Sequence, residues 1–93
     1  MIEVNEYFDG KVKSFVINSG EGKKTLGVMQ PGEYEFDTDI KEAITVVSGE
    51  LSVYFSEYDE WEEFGMGASF DIPAKSKFKV KVEQDVAYFC EYE

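Results

Sequence analysis

The stretch Lys75 to Val82, KSKFKVKV, alternates lysine with Ser76, Phe78, Val80 and Val82. Successive side chains of a strand point to opposite faces, so this segment reads as a strand with an ammonium face and a core face. The same period of two runs through most of the chain. In EAITVVSGELSVYF, two β-branched and aromatic runs flank Ser48-Gly49-Glu50, where glycine can take positive φ, and the segment is a hairpin. NSGEGKK, Asn18 to Lys24, carries Gly20 and Gly22 and suits a slightly longer reversal; Pro31-Gly32 and Gly65 to Gly67 mark further turns. Short strands separated by regular turn signals predict an all-β sandwich, jelly roll or small barrel. The segment YDEWEEF, Tyr58 to Phe64, has charges suited to a helix but an apolar stripe of only Trp61 and Phe64, so it reads as a loop feeding a strand.

A chain of 93 residues is too short for two cores, and residues 1–93 are expected to form one domain. With 43% hydrophobic and 16% aromatic residues it can close a small core, each large buried side chain contributing roughly 1.5–3 kcal/mol. A domain of this size leaves much surface unburied, which favours a homodimer. The net charge of −11 repels polyanions and anionic membranes, so neither nucleic acid nor a membrane is an expected partner. All nine basic residues are lysines, so a bound anion must be held by ammonium groups, hydroxyls or backbone N–H groups, without a guanidinium fork. Cys90 is the single cysteine, and Met1 is followed by an acidic, polar stretch instead of an apolar leader; both suit a reducing cytoplasm. No histidine is present to activate the Cys90 thiol, which is read as packing.

From Pro31 to Gly49 the sequence is PGEYEFDTDIKEAITVVSG, with six residues between Glu42 and Gly49, a spacing that resembles the first cupin motif. Gly67 and Pro73, separated by five residues, resemble the start of the second. The resemblance implies a single-domain cupin-type jelly roll or small β-barrel. Metal-binding cupins carry histidines near Phe36, Thr38 and Phe78; this chain has none, so a metal-free cavity is expected. A narrower resemblance covers nearly the whole chain: NEYFDGKVKS at Asn5, GVM at Gly27, GEYEFDT at Gly32, TVVSGEL at Thr45, then Trp61, FDIPAKSKF and YFCEY. In order and spacing these segments are similar to the small single-domain pyrimidine/purine nucleoside phosphorylases of bacteria, a metal-free cupin family. That resemblance implies phosphorolysis of purine and pyrimidine nucleosides to free base and ribose 1-phosphate, with inorganic phosphate as co-substrate and no other cofactor.

Breaking a ribosyl C1′–N bond develops positive charge on the sugar and negative charge on the base while phosphate arrives on the opposite face. The chemistry needs an anion cradle, a carboxylate near the ribose and a surface for the base. Lys11 and Lys13, two apart and so on one strand face, are the first candidates for the cradle, with Ser14, Lys23 and Lys24 behind them. The same lysines also fit a solvated face, and for Lys75 to Lys81 that plainer role is favoured. Glu42 occupies the inward-pointing cupin position and suits the ribose, although it also fits an exposed carboxylate at a strand start. Thr38 and Thr45 offer hydroxyls to the same cavity. Tyr34, Phe36, Phe70, Phe78 and Tyr88 are the aromatic candidates for the base; about two of them should line the site, with Phe78 first, because it stands at a vacated histidine position. The alternative class is a non-catalytic cupin that binds a small ligand; a sugar isomerase or epimerase is disfavoured because it wants a histidine or a metal.

Overall fold

The Lys77–Val82 alternation sorts as its spacing demands: Phe78, Val80 and Val82 are buried and the three lysines face solvent. The computed structural model describes residues 1–93 and contains no helix. Its ten strands are β1 (Val4–Tyr7), β2 (Val12–Asn18), β3 (Lys23–Met29), β4 (Gly32–Asp37), β5 (Glu42–Ser48), β6 (Leu51–Phe55), β7 (Glu60–Phe64), β8 (Ser69–Ile72), β9 (Lys77–Val82) and β10 (Val86–Tyr92). All pairings are antiparallel. One sheet runs β1-β2-β3-β10-β5-β8 and the other β4-β9-β6-β7. Residues of both sheets, among them Val12, Ile44, Val53, Val80 and Val86, close a single core. The architecture is the all-β cupin type.

The turns expected at Gly20 and Gly22, Pro31-Gly32, Gly49 and Gly65 to Gly67 fall at the junctions between strands, while the connections 38–41, 56–59 and 83–85 contain neither glycine nor proline. Gly49 takes φ +84 between β5 and β6, and a Cβ there would lie 2.8 Å from the Asp85 carbonyl oxygen, so the hairpin excludes any side chain twice over. Pro73 follows β8 directly. The Tyr58–Phe64 expectation needs correcting: Glu60–Phe64 is itself strand β7, paired with β6 so that Trp61 faces Tyr54. As the edge strand of the smaller sheet β7 is solvated on both faces, and without a buried face there is no alternation to read.

The outer face of the larger sheet is apolar across its middle. Val4, Phe15, Leu26 and Phe89 lie side by side in register on β1, β2, β3 and β10, and Val28 lies beside this rank on β3. Of these, Val4, Phe15, Leu26 and Val28 are all more than 40% exposed.

Candidate functional site

A cleft of about 150 Å³ opens between the sheets, lined by Tyr7, Ser14, Met29, Phe36, Asp37, Glu42, Ile44, Phe78, Tyr88, Cys90 and Tyr92. Strand register assembles its floor. Ser14 on β2 pairs with Gly27 on β3, and Gly27 with Tyr88 on β10; Cys90 pairs with Ile44 on β5, and Tyr92 with Glu42. Phe36 and Phe78 form the roof from β4 and β9, stacked with centroids 5.4 Å apart and planes at 26°. The Tyr88 ring has room only because residue 27 has no side chain: a Cβ there would lie 2.6 Å from Cζ and Oη of Tyr88.

Glu42 is half-buried, and burial raises its carboxyl pKa, opposed by a hydrogen bond from Cys90 and by the positive charge of Lys23. The Cys90 thiol donates to Glu42 Oε1 at 3.3 Å. Lys23 Nζ sits 4.8 Å from the centroid of the Tyr92 ring, at the same end of the cleft. Burial holds the Tyr88 and Tyr92 hydroxyls in their protonated forms, and burial together with the Glu42 charge pushes the Cys90 thiol up to about 12. Beside them the Thr25 hydroxyl, 1% exposed, makes no well-formed hydrogen bond, although the Cys90 thiol and the Tyr92 hydroxyl lie close enough to feel it. The cleft thus offers neutral donors, the half-buried Glu42 carboxylate with an ammonium group near it, the exposed carboxylate of Asp37, and an aromatic roof. Such a set can hold a polyhydroxylated ring and stack a planar one.

Of the residues singled out in the sequence, the fold gathers Glu42, Ser14, Phe78 and Tyr88 around this cleft. It does not gather Lys11, Lys13 or Thr38. Ser14 points inward, so its neighbour Lys13 must point outward, where its Nζ lies 3.0 Å from Glu6. Lys11 is exposed in the turn before β2. The Thr38 hydroxyl is taken up internally: it donates to the Pro73 carbonyl at 2.7 Å and accepts from the Ser76 N–H at 3.0 Å, stapling the turn between β8 and β9. Thr45 likewise faces away and bonds Ser69. Among the aromatic candidates Phe36, Phe78 and Tyr88 line the cleft, whereas Tyr34 donates to the Gln30 carbonyl and Phe70 stacks on Phe64.

Tyr7, Asp37, Cys90 and Tyr92 were not foreseen as lining residues. The alternation Tyr88, Cys90, Tyr92 was visible in YFCEY and places all three on one face; nothing local signalled Tyr7 or Asp37. A larger groove of about 380 Å³ lies elsewhere, but Glu50, Glu63 and Glu83 outnumber the single Lys81 in its lining, and their charge opposes an anionic ligand. No group of three or more His, Cys, Asp or Glu side chains gathers anywhere in a form that could hold a metal ion, so the donor set does not fit the metal that many cupins carry.

Residues 2–92 match the family model described as pyrimidine/purine nucleoside phosphorylase. The protein of that name from Pseudomonas syringae pathovar tomato is 52% identical over 92 residues, covering 99% of each chain. Among solved structures, a protein of unknown function from Vibrio parahaemolyticus superposes with a TM-score of 0.96 at 41% identity, covering 100% of this chain and 99% of the other. A putative ethanolamine utilization protein from Salmonella typhimurium, at 18% identity and TM-score 0.78 over 91% of this chain and 74% of its own, shares the fold alone.

Proposed function

Because the chain belongs to the pyrimidine/purine nucleoside phosphorylase family, we infer that it is an enzyme that cleaves nucleosides with phosphate. The C1′–N bond breaks with its electron pair leaving on the base, which takes up a proton, and a phosphate oxygen forms the new bond to C1′. The products are the free base and ribose 1-phosphate, with no cofactor beyond the phosphate co-substrate. The observation that carries the site assignment is the half-buried Glu42 carboxylate under an aromatic roof with the Lys23 ammonium close by. Glu42 accepts from the ribose hydroxyls and stabilises positive charge as the sugar approaches an oxocarbenium ion. Lys23, with the Ser14 and tyrosine hydroxyls, takes the phosphate. Phe36 and Phe78 stack the base, and a stacking surface tolerates purines and pyrimidines alike because every base has a π-face.

The test uses chelator-treated protein with uridine, inosine or guanosine, with and without phosphate, and measures free base. Release that requires phosphate and survives chelation is expected; no release from any nucleoside would leave a binding protein instead. Lys23→Ala should raise the KM for phosphate about tenfold or more, as expected for loss of a charge-assisted contact. Lys11→Ala and Lys13→Ala should leave it within about twofold, their ammonium groups being solvated. Equal effects of all three would overturn the assignment.

We also propose a homodimer formed through the apolar rank on the larger sheet. A chain of net charge −11 repels a second copy, so an interface between two copies must be held by apolar contact. The rank of Val4, Phe15, Leu26, Val28 and Phe89 supplies that contact, with Glu6 and Glu91 on the same face beside it. Phe15→Glu and Leu26→Glu should each shift the sedimentation coefficient to the monomer value; unchanged sedimentation would rule this face out. No helix is long and apolar enough to cross a membrane. The lone cysteine and a nucleoside substrate support a cytoplasmic enzyme, and the acidic surface supports a small-molecule partner in place of nucleic acid.

A further inference from the structure

Cys90 is 2% exposed on β10, between Tyr88 and Tyr92 on the inward face, paired with Thr25 on one side and Ile44 on the other. A valine or alanine would fill such a position as well. What distinguishes the thiol is its direction, since the S–H donates to Glu42 Oε1 at 3.3 Å. With the thiol pushed up to about 12, the proton stays on sulfur across the working pH range, so Cys90 is a standing donor and not a nucleophile. The bond to Glu42 is the one side-chain hydrogen bond the thiol makes, and the Thr25 hydroxyl beside it makes none.

Glu42 takes part in none of the chain's ion pairs, although Lys23 is near enough for its charge to be felt. A mobile carboxylate in that position would swing onto the ammonium group and be lost to the substrate. Resting on the reading of Glu42 as the ribose-facing carboxylate, we propose that Cys90 is a positioning residue for phosphorolysis, its thiol pinning one oxygen of Glu42 so that the other stays free for the sugar. The titratable groups around Glu42 are Tyr7 on β1, Lys23 on β3, Asp37 on β4, and Tyr88, Cys90 and Tyr92 on β10. Of these, Cys90 and Lys23 favour its ionised form.

Cys90→Val keeps the bulk and removes the donor; Cys90→Ser keeps the donor. In the valine variant kcat should fall about tenfold, the usual effect of losing a hydrogen bond to a charged group, with the nucleoside KM changed less. The acidic limb of its pH–rate profile should move to higher pH, because the bond that favours the ionised carboxylate is gone. The serine variant should recover most of the rate and the parent profile. A ¹³C NMR titration of the Glu42 carboxyl in ligand-free protein should show the same upward shift in Cys90→Val alone, and thermal unfolding shows whether each variant is folded. If Glu42→Gln abolishes activity but Cys90→Val keeps the parent's rate, profile and Glu42 titration, the positioning role is wrong while the Glu42 reading stands. If Glu42→Gln is fully active, both fall.

Discussion

Glu42→Gln should lower kcat for phosphorolysis by roughly 100- to 1000-fold, the range seen when one preorganised electrostatic group is removed from a transition state. The substitution keeps the size of the side chain and an oxygen to accept from the Cys90 thiol, so the cleft should keep its shape. What is lost is the negative charge that meets the developing oxocarbenium ion. The parent enzyme should show the matching pH dependence. Burial raises the Glu42 pKa, so protonation removes the working carboxylate at a higher pH than an ordinary glutamate would require, and activity falls on the acid side earlier. The sign for stability is the opposite. A carboxyl whose pKa is higher folded than unfolded favours the fold while protonated, and this contribution is lost as pH rises through its folded pKa. Above that pH, Glu42→Gln should therefore unfold at a higher temperature than the parent while being nearly inactive. Steady-state rates and thermal unfolding across pH check both limbs; a glutamine variant with parental kcat would remove Glu42 from the mechanism.

Gly27→Val should destabilise the domain by about 1–3 kcal/mol, the usual effect of overpacking a filled interior. For a domain of this length that lowers Tm by about 4–8 °C per kcal/mol. The cause is not backbone conformation, because Gly27 is an ordinary strand residue without positive φ. It is the Tyr88 ring, three of whose atoms lie 2.6–2.7 Å from where the Cβ would be. The ring can yield only by turning off the floor of the cleft, into the space assigned to the nucleoside, so activity should fall in the molecules that stay folded. Gly27→Ala should do the same to a smaller degree. The double variant Gly27→Ala/Tyr88→Leu takes the ring away and should recover part of the lost Tm but not the activity. A Gly27→Val protein with parental Tm and kcat would show that Tyr88 does not depend on this notch.

How far the site was legible varied residue by residue. Glu42 and Phe78 could be named from motif spacing, Ser14 from its place in NEYFDGKVKS and Tyr88 as an aromatic residue of strand character; all four line the cleft. Lys11 and Lys13 were attractive because two-residue spacing puts them on one strand face, but that spacing does not say which face is inward. The buried Val12 and Ser14 decide it against them. Lys23 shares the inward parity of Thr25 and Gly27 on β3, yet it looked like one more hairpin lysine until β10 placed Tyr92 beneath it. Thr38 shows the same limit, since its hydroxyl is claimed by Pro73 and Ser76, 35 and 38 residues away along the chain.

The sequence by itself determined the strands that bury one face, the glycine turns and the family, because alternation of side chains and the freedom of glycine are properties of a few adjacent residues; the solvated edge strand β7 escaped it. Only the tertiary structure decided which side chains meet. β10 inserts between β3 and β5, far from both along the chain, and that placement brings the Cys90 thiol to Glu42 and Tyr88 over Gly27. Register between distant strands is set by the collective burial of both sheets, and no single segment carries it.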